Sequence, residues 1–345
     1  MKIGIAGFAG SGKSTVFHWL TGAKPDPAKS QQGQIGKPEV PDERLDWLSA
    51  HFSPKKTTPG KIEFLDTPGL MMGERRDNPR RLAILRDCGG LLVVLNGYAG
   101  GNLPDELRRF REELLFADLE VVLGRVDRLK DQLKKPRPAK QKEADQIELG
   151  LLQRVANALE QGQGASTLGL KDDEEKVIRS FQLLTLKREL AFVNIGEDLI
   201  GKPLPEDLRK LAPQALAAPV KLEMELADLS EEDRQAFMQD LKLAGFSHGD
   251  ALRAIFQAMN HIVFFTVGED ECRAWPVMKG ATAVEGAGEI HTDLSRGFVR
   301  GEVVSYADFR KLGSMKEAKQ HGVYRLESKT YVIQDGDIMH ILAST

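Results

Sequence analysis

Three short stretches of the sequence carry residue types that suit nucleotide chemistry, and the first is GFAGSGKS at residues 7–14. It fits the pattern G-x-x-x-x-G-K-[S/T], in which the glycines let backbone N–H groups surround phosphate oxygens. The lysine of such a loop places a charge at the β- and γ-phosphates, and the hydroxyl binds Mg²⁺. We therefore expect the nucleotide-binding residues to include Gly7, Gly10, Ser11, Gly12, Lys13, Ser14 and Thr15.

The second stretch, DTPG at residues 66–69, follows an apolar run that is typical of a buried strand. We expect Asp66 to lie beside Mg²⁺, next to Ser14, and Gly69 to donate its backbone N–H to the γ-phosphate. Lys13 and Gly69 are thus the expected catalytic residues. Leu70 stands where Ras-like enzymes carry the glutamine that orients the attacking water. Because a leucine cannot orient water, we expect slow intrinsic turnover.

The third stretch, NIGE at residues 194–197, ends another strand-like run. Guanine-binding proteins carry N-K-x-D at this place, and the aspartate accepts two hydrogen bonds from the guanine edge. Here Ile195 replaces the lysine, and Glu197 is one methylene longer than an aspartate. We expect Asn194, Ile195 and Glu197 to lie at the base, with ATP bound at least as tightly as GTP. The alternative is a turn at a strand end without a nucleotide role.

These stretches need a sheet to bring them to one edge. Apolar runs that suit buried strands occur at residues 2–6, 61–65, 90–95 and 188–193, and a helical pattern follows the first loop. The strand–loop–helix context is the one that a phosphate-binding loop requires. The sequence therefore predicts an α/β fold, a P-loop NTPase of the Ras-like G-domain kind.

Residues 103–185 depart from this alternation and predict an inserted antiparallel helical hairpin. Apolar residues recur at 4-3 spacing along a first helix, and a second helix repeats the pattern. The members of these two seams are Leu115, Leu119, Val122, Val126, Leu129 and Leu133, then Ile147, Leu151, Val155 and Leu159. Between the helices lie five cations, Lys134, Lys135, Arg137, Lys140 and Lys142. They suit contact with RNA phosphates, or they form a solvated turn.

Bulk properties exclude several other classes of protein. The chain has 345 residues and a net charge of −3, so no overall field attracts it to nucleic acid or membrane. Its apolar runs are too short to span a bilayer, and its two cysteines form no CxxC pair. We expect a cytoplasmic protein with reduced thiols and no membrane partner.

Taken together, the motifs resemble the YchF, or Obg-like ATPase, family. That family carries N-x-x-E in place of N-K-x-D and a hydrophobic residue in place of the glutamine of Ras. The segments 264–275, 287–309 and 331–340 are similar to its C-terminal TGS domain, a β-grasp fold. The resemblance implies a G domain at 1–102 and 186–260, the helical insertion at 103–185 and the TGS domain at 261–345.

The same resemblance implies the activity and the partners. We expect slow, Mg²⁺-dependent hydrolysis of ATP by a regulatory switch that binds the ribosome or ribosomal RNA through the hairpin and the TGS domain. The alternatives are a GTP-preferring GTPase and a nucleotide-gated RNA-binding module with little hydrolysis. Ungapped alignment with the family makes Ser30 the switch I hydroxyl that joins Ser14 and Asp66 as a metal ligand. Ala9-Gly10-Ser11 replaces the Pro-Asn-Val usual in the family's loop.

Overall fold

The computed structural model of the protein describes residues 2–29, 31–73, 77–227, 229–230 and 247–344. Among these residues, no helix is both long and apolar enough to cross a membrane. The predicted metal ligand Ser30 lies outside the described residues.

The chain divides into two compact units. The first consists of Met1–Gly36 and Glu63–Phe246, and the second of Lys37–Ile62 and Ser247–Thr345. Residues 37–62 and 247–260, which the sequence had placed with the nucleotide domain, thus lie in the second unit. The helical insertion lies in the first unit and has a hydrophobic core of its own.

The first unit contains a six-stranded sheet in the order β2-β6-β1-β7-β8-β9. The order brings the three motif-bearing strands and β7 side by side, and all pairs are parallel except β2 with β6. Parallel strands end at one edge of a sheet, where ligands of α/β proteins bind. The strands are β1 (Lys2–Ala6), β2 (Gln34–Gly36), β6 (Glu63–Asp66), β7 (Gly90–Gly97), β8 (Arg188–Ile195) and β9 (Leu216–Ala218).

Helices cover this sheet. The central strands are almost wholly buried, as expected for a parallel sheet that is covered on both faces. Leu91 to Leu95 of β7, for example, are each at most 1% exposed. The helices of the unit are α1 (Lys13–Thr21), α3 (Asn78–Arg86), α4 (Leu103–Leu133), α5 (Ala139–Glu160), α6 (Asp172–Ile178), α7 (Glu206–Leu211) and α8 (Val220–Ala227).

The hairpin of α4 and α5 has most of the predicted apolar seam, although Leu133 is half-buried and lies outside its core. Val122, Val126 and Leu129 of α4 and Leu151, Val155 and Leu159 of α5 are buried together. Ile147 is 60% exposed, so its assignment to the seam was wrong. Asp145 is buried instead, because its carboxylate pairs with Arg137 at 2.7 Å. An ion pair near the tip therefore replaces the last apolar layer of the seam.

A buried carboxylate fixes the base of the hairpin. Asp118 of α4 is fully buried and accepts a hydrogen bond from the guanidinium of Arg86 at 2.7 Å. It also accepts from the backbone N–H groups of Leu184 and Thr185 and from the Thr185 hydroxyl. Because a buried charge is stable only when it is fully paired, this network holds α4 in one position against the chain that enters β8.

The second unit has the β-grasp topology, in which a central strand is parallel to the first strand of a hairpin. Its sheet has the order β13-β12-β14-β10-β11-β4, and β10 is antiparallel to β11 and parallel to β14. The strands are β3 (Glu39–Val40), β4 (Lys56–Thr58), β5 (Gly60–Lys61), β10 (His261–Thr266), β11 (Glu271–Met278), β12 (Phe298–Ser305), β13 (Arg325–Glu327) and β14 (Asp337–Ala343).

One helix of the second unit, α2 (Glu43–Phe52), lies about two hundred residues before β10 in the sequence. The others are α9 (His248–Ala258), α10 (Ala283–Ile290), α11 (Thr292–Arg296), α12 (Tyr306–Leu312) and α13 (Met315–Gln320). In α2, Trp47 and Phe52 pack on Phe309, and Arg44 pairs with Asp335 at 2.8 Å. These contacts explain why residues 37–62 lie with the C-terminal unit.

Candidate functional site

The loop between β1 and α1 has the geometry of a phosphate cradle. Gly10 and Gly12 have φ angles of 82° and 88°, which strain residues with a Cβ atom. Gly12 is also the N-cap of α1 and has no side chain to cap the helix. The N–H groups of the first helical turn, at Lys13, Ser14 and Thr15, are therefore left for an anion.

Lys13 lies inside this loop rather than in solvent. Its side chain is buried, and its Nζ donates a hydrogen bond to the Phe8 carbonyl at 2.7 Å. Burial lowers the pKa of Lys13 to about 8, although the charges of Asp66 and Glu106 oppose this shift. The charge of Arg81 adds to the lowering. The loop therefore holds an ammonium group that lacks an ionic partner within salt-bridge distance among the described residues.

The DTPG turn lies directly against the loop. The Leu70 N–H donates to the Gly7 carbonyl at 3.0 Å, and the Ala9 N–H donates to the Leu70 carbonyl at 2.8 Å. A Cβ atom at Gly69 would lie 2.6 Å from the Lys13 Nζ and 2.8 Å from backbone atoms of Ala9, and the closeness of this backbone requires glycine. The Leu70 side chain is 1% exposed and packs in the core. It therefore takes no part in binding water.

The residues next to Lys13 offer oxygen atoms that suit a divalent cation. Ser14 lies close enough to the Asp66 carboxylate to affect its pKa, and the Oδ1 of that carboxylate is buried without a hydrogen-bond partner in the described part of the chain. Burial raises the pKa of Asp66, although Ser14 and Lys13 oppose the shift. The buried Ser11 hydroxyl likewise has no partner among the described residues. Hydroxyl and carboxylate oxygens are hard donors, which Mg²⁺ prefers.

At the other end of the loop, Asn194 connects the sheet to Gly12. Asn194 is buried at the end of β8, level with Asn96 of β7. A Cβ atom at Gly12 would lie 2.2 Å from the Asn194 Nδ2, which shows how closely this amide packs on the loop. Beyond it opens a cavity of about 410 Å³, lined by Gly12, Thr15, Tyr98, Asn194, Ile195, Gly196, Glu197, Pro219, Lys221 and Leu222.

The three predicted base-binding residues all line this cavity but differ in burial. Asn194 is buried, Ile195 is half-buried, and Glu197 is exposed at the start of a short 3₁₀ helix. Lys221, another lining residue, is 87% exposed and lies 3.8 Å from Glu225. The base end therefore presents an apolar wall with charged groups at its rim.

Four residues near the loop were missed by the sequence analysis. The hydroxyl of Tyr98 donates to the Gly10 carbonyl, as does the Asn96 side chain at 3.4 Å. Glu106 accepts from the Asn96 N–H at 3.0 Å, and Arg81 donates to the Gly69 carbonyl at 2.9 Å. Asn96 lies near the end of β7, the strand beside β1, and Tyr98 directly follows that strand, so their positions in the sequence could have identified them. Arg81 and Glu106 come from helices and carried no such signal.

The structure thus brings every described residue of the predicted site to one edge of the first sheet. Gly7, Gly10, Ser11, Gly12, Lys13, Ser14 and Thr15 form the loop, Asp66 and Gly69 adjoin it, and Asn194, Ile195 and Glu197 line the cavity. Their roles toward a bound nucleotide stay predictions.

Two protein families and several known proteins match this chain. Residues 2–124 match the family described as 50S ribosome-binding GTPase, and residues 261–344 match YchF-GTPase_C, described as a protein of unknown function. The ribosome-binding ATPase YchF of Bacillus subtilis is 32% identical, over 99% of this chain and 98% of its own length. That of Escherichia coli O157:H7 is 31% identical over the same shares.

A solved structure agrees with the sequences. The YchF GTPase of Schizosaccharomyces pombe matches with a TM-score of 0.82 and 27% identity, over 99% of this chain and 97% of that one. The matched part of this chain includes residues of both units. With a phosphate cradle, an N-x-x-E base end and relatives matched over nearly their whole length, the chain belongs to the YchF family of P-loop nucleoside triphosphate hydrolases.

Proposed function

We propose that this chain is a Mg²⁺-dependent ATPase whose nucleotide lies across the loop at residues 7–14, with its base in the cavity beyond Asn194. The observation that carries the proposal is the convergence of Lys13, Asp66 and Gly69 at one point of the loop. The backbone N–H groups of α1 bind phosphate oxygens, and Lys13 leaves the Phe8 carbonyl to pair with the β- and γ-phosphates.

A divalent cation completes this charge balance. Ser14 and Asp66 would hold Mg²⁺, which supplies positive charge to the phosphate oxygens when bound. In the described part of the chain the Asp66 Oδ1 has no hydrogen-bond partner, and burial raises the pKa of this carboxyl. Both properties suit a carboxylate that becomes a ligand when a cation binds. Removal of Mg²⁺ should weaken nucleotide binding and abolish turnover.

The base end favours ATP over GTP as the physiological nucleotide. Guanine selectivity needs a carboxylate held against the ring, whereas Glu197 is exposed at the rim of the cavity. Ile195 replaces the lysine stem, and Tyr98 offers an aromatic surface that accepts either purine. A site that does not pair with guanine loses the discrimination that unpaired buried polar groups enforce.

The relatives named ribosome-binding ATPases suggest a ribosomal partner, which implies action in the cytoplasm. The hairpin tip is the best candidate contact with ribosomal RNA. Two of its five cations are held by carboxylates, Lys134 by Asp131 at 2.8 Å and Arg137 by Asp145 at 2.7 Å. Within the described residues no ion pair is recorded for Lys135, Lys140 and Lys142. The C-terminal β-grasp domain is the second candidate contact.

The test compares ATP and GTP titrations by calorimetry, with and without Mg²⁺, and turnover with and without ribosomes. We expect ATP to bind at least as tightly as GTP and ribosomes to accelerate hydrolysis. Tighter binding of GTP by tenfold, about 1.4 kcal/mol, would contradict the assignment of ATP. Absence of turnover under every condition would contradict the assignment as an enzyme.

The RNA contact has its own test. Replacement of Lys135, Lys140 and Lys142 by glutamine should reduce the slope of ribosome affinity against salt by about 0.7 to 0.9 per lost phosphate contact. A matched control replaces three exposed lysines away from the tip, Lys171, Lys176 and Lys202. Equal slopes for the two variants in cosedimentation would leave the tip as a solvated turn.

One observation favours a second function, a nucleotide-gated ribosome-binding module with little intrinsic hydrolysis. Leu70 is buried and its backbone is bonded to the loop on both sides. The residue that orients water in Ras-like enzymes thus has no counterpart at this position. Under this alternative, ATP and a non-hydrolysable analogue would support ribosome binding equally, and ribosomes would leave turnover unchanged.

A further inference from the structure

A second cationic side chain, besides Lys13, contacts the DTPG turn. Arg81 of α3 is half-buried, and its Nη1 donates to the Gly69 carbonyl oxygen at 2.9 Å. Lys13 also approaches this glycine, since a Cβ atom on Gly69 would meet its Nζ at 2.6 Å. The two cations therefore meet at Gly69, whose backbone N–H is expected to contact the γ-phosphate.

The placement of Arg81 is fixed by a buried amide one turn earlier. The Asn78 side chain is 2% exposed and pairs with both backbone groups of Met71, accepting from its N–H and donating to its carbonyl, each at 3.0 Å. This clamp attaches the start of α3 to the chain just after the DTPG turn. Residues three apart share a helix face, so Arg81 is directed at Gly69 by the same attachment.

The electrostatics agree with this geometry. After burial, which has the largest effect, the charge of Arg81 is a further cause of the lowered pKa of Lys13. Two cations that repel one another this close to a phosphate loop are destabilising in the free protein. They become favourable when a polyanion lies between them.

Hydrolysis of ATP creates a specific need for such a group. A water oxygen forms a bond to the γ-phosphorus, the bond from that phosphorus to the β–γ bridging oxygen breaks, and the proton of the water passes to phosphate or solvent. Charge is spread over the equatorial oxygens of the terminal phosphoryl group, and an arginine in cis or in trans commonly stabilises it. Leu70 cannot assist, because its side chain is buried.

We propose that Arg81 is a catalytic arginine built into this chain: anchored by Nη1 at Gly69, its guanidinium donates its other N–H groups to the γ-phosphoryl oxygens as charge develops on them. Among the described residues, the side-chain hydrogen bond recorded for Arg81 uses Nη1, so Nε and Nη2 are available for this contact. The inference rests on the proposed ATP hydrolysis and adds a residue to it. Such an arginine would lower the activation barrier of ATP hydrolysis in a chain that lacks a water-orienting glutamine.

The test compares Arg81→Gln with Arg80→Gln, which removes an exposed arginine from the adjacent position of the same helix. We expect Arg81→Gln to reduce single-turnover hydrolysis of ATP by about a hundredfold to a thousandfold, the range seen when one transition-state donor is removed. The Kd of ATP should change by less than about threefold. Arg80→Gln should match the wild type in both measurements.

A transition-state analogue separates catalysis from support of the turn. ADP with aluminium fluoride and Mg²⁺ should bind the wild type more tightly than ADP alone, and Arg81→Gln should lose most of this difference. Millimolar guanidinium should partly restore turnover of Arg81→Ala. A variant that loses affinity for ATP, ADP and the analogue equally would show that Arg81 only supports the turn.

Other outcomes are equally decisive. Equal turnover of the Arg81→Gln and Arg80→Gln variants, in a protein whose wild type hydrolyses ATP, would overturn the inference and leave the proposed function intact. A wild type without turnover, with and without ribosomes, would overturn both.

Discussion

The two ends of the nucleotide site are built in different ways. At the phosphate end, Lys13 is buried, Asp66 has an unpartnered buried oxygen, and the DTPG turn is hydrogen-bonded to the loop. At the base end, Asn194 is buried against Gly12, but Glu197 is exposed and Lys221 lies in solvent beside Glu225. One end is a tight charge cluster, and the other is an open cavity with an apolar wall.

This difference indicates where binding energy and selectivity arise. In the proposed site, backbone N–H groups and buried charges would bind the phosphates, and these groups interact strongly because water is excluded. In the proposed site the base would contact Ile195 and Tyr98, which do not distinguish the hydrogen-bonding edges of purines. We therefore expect affinity to depend mainly on the phosphate end, and base preference to be weak and easily changed.

The largest expected effect is at the phosphate end. Lys13→Ala should reduce ATP affinity by about tenfold to a hundredfold, since a charge-assisted hydrogen bond contributes about 1.5–3 kcal/mol. The melting temperature should remain close to that of the wild type, because the substitution also removes a buried charge. Calorimetry and thermal unfolding measure the two quantities. Unchanged ATP affinity in a folded variant would place the phosphates elsewhere.

A change of pH should have an intermediate effect on ATP affinity. Because the pKa of Lys13 is about 8, its charge is lost as pH rises through that value, and ATP affinity should fall by up to about tenfold per pH unit above it. In the free protein the effect on stability has the opposite sign. The unfolded chain, with a lysine pKa near 10.5, binds more protons between 8 and 10.5, so the free energy of unfolding rises with pH there.

Titrations at pH 7, 8 and 9.5 in buffers of different ionisation enthalpy would measure both the affinity and the protons taken up on binding. Constant affinity with no proton uptake would mean that Lys13 stays charged in the free protein. The phosphate end would then be less desolvated than the burial of Lys13 indicates, and the two ends of the site would not differ in this respect.

The smallest expected effect is at the base end. Ile195→Lys combined with Glu197→Asp should shift the ratio of GTP to ATP affinity by about threefold to tenfold toward GTP, and leave the affinity for triphosphate alone unchanged. Glu206→Asp, an equivalent change at an exposed helix position outside the cavity, is the control. If the double variant kept the wild-type ratio, base selection would come from other walls of the cavity.

Much of this protein was determined by local sequence. The strand–loop–helix around Gly7 to Ser14 could be predicted because the loop needs glycines at positive φ and a helix start with free N–H groups. The α4–α5 hairpin followed from its apolar period, apart from Ile147, where the ion pair of Asp145 with Arg137 displaced the pattern. These features depend on residues close together in the chain.

Tertiary structure decided what depends on residues far apart. No periodicity places residues 37–62 in the same unit as the C-terminal sheet, since contacts such as Arg44 with Asp335 join positions almost three hundred residues apart. The approach of Arg81 to Gly69 depends on Asn78 clamping Met71, and the pKa of Lys13 depends on burial. A motif specifies the groups present at a site, whereas desolvation and distance, which set their chemistry, exist only after the chain has folded.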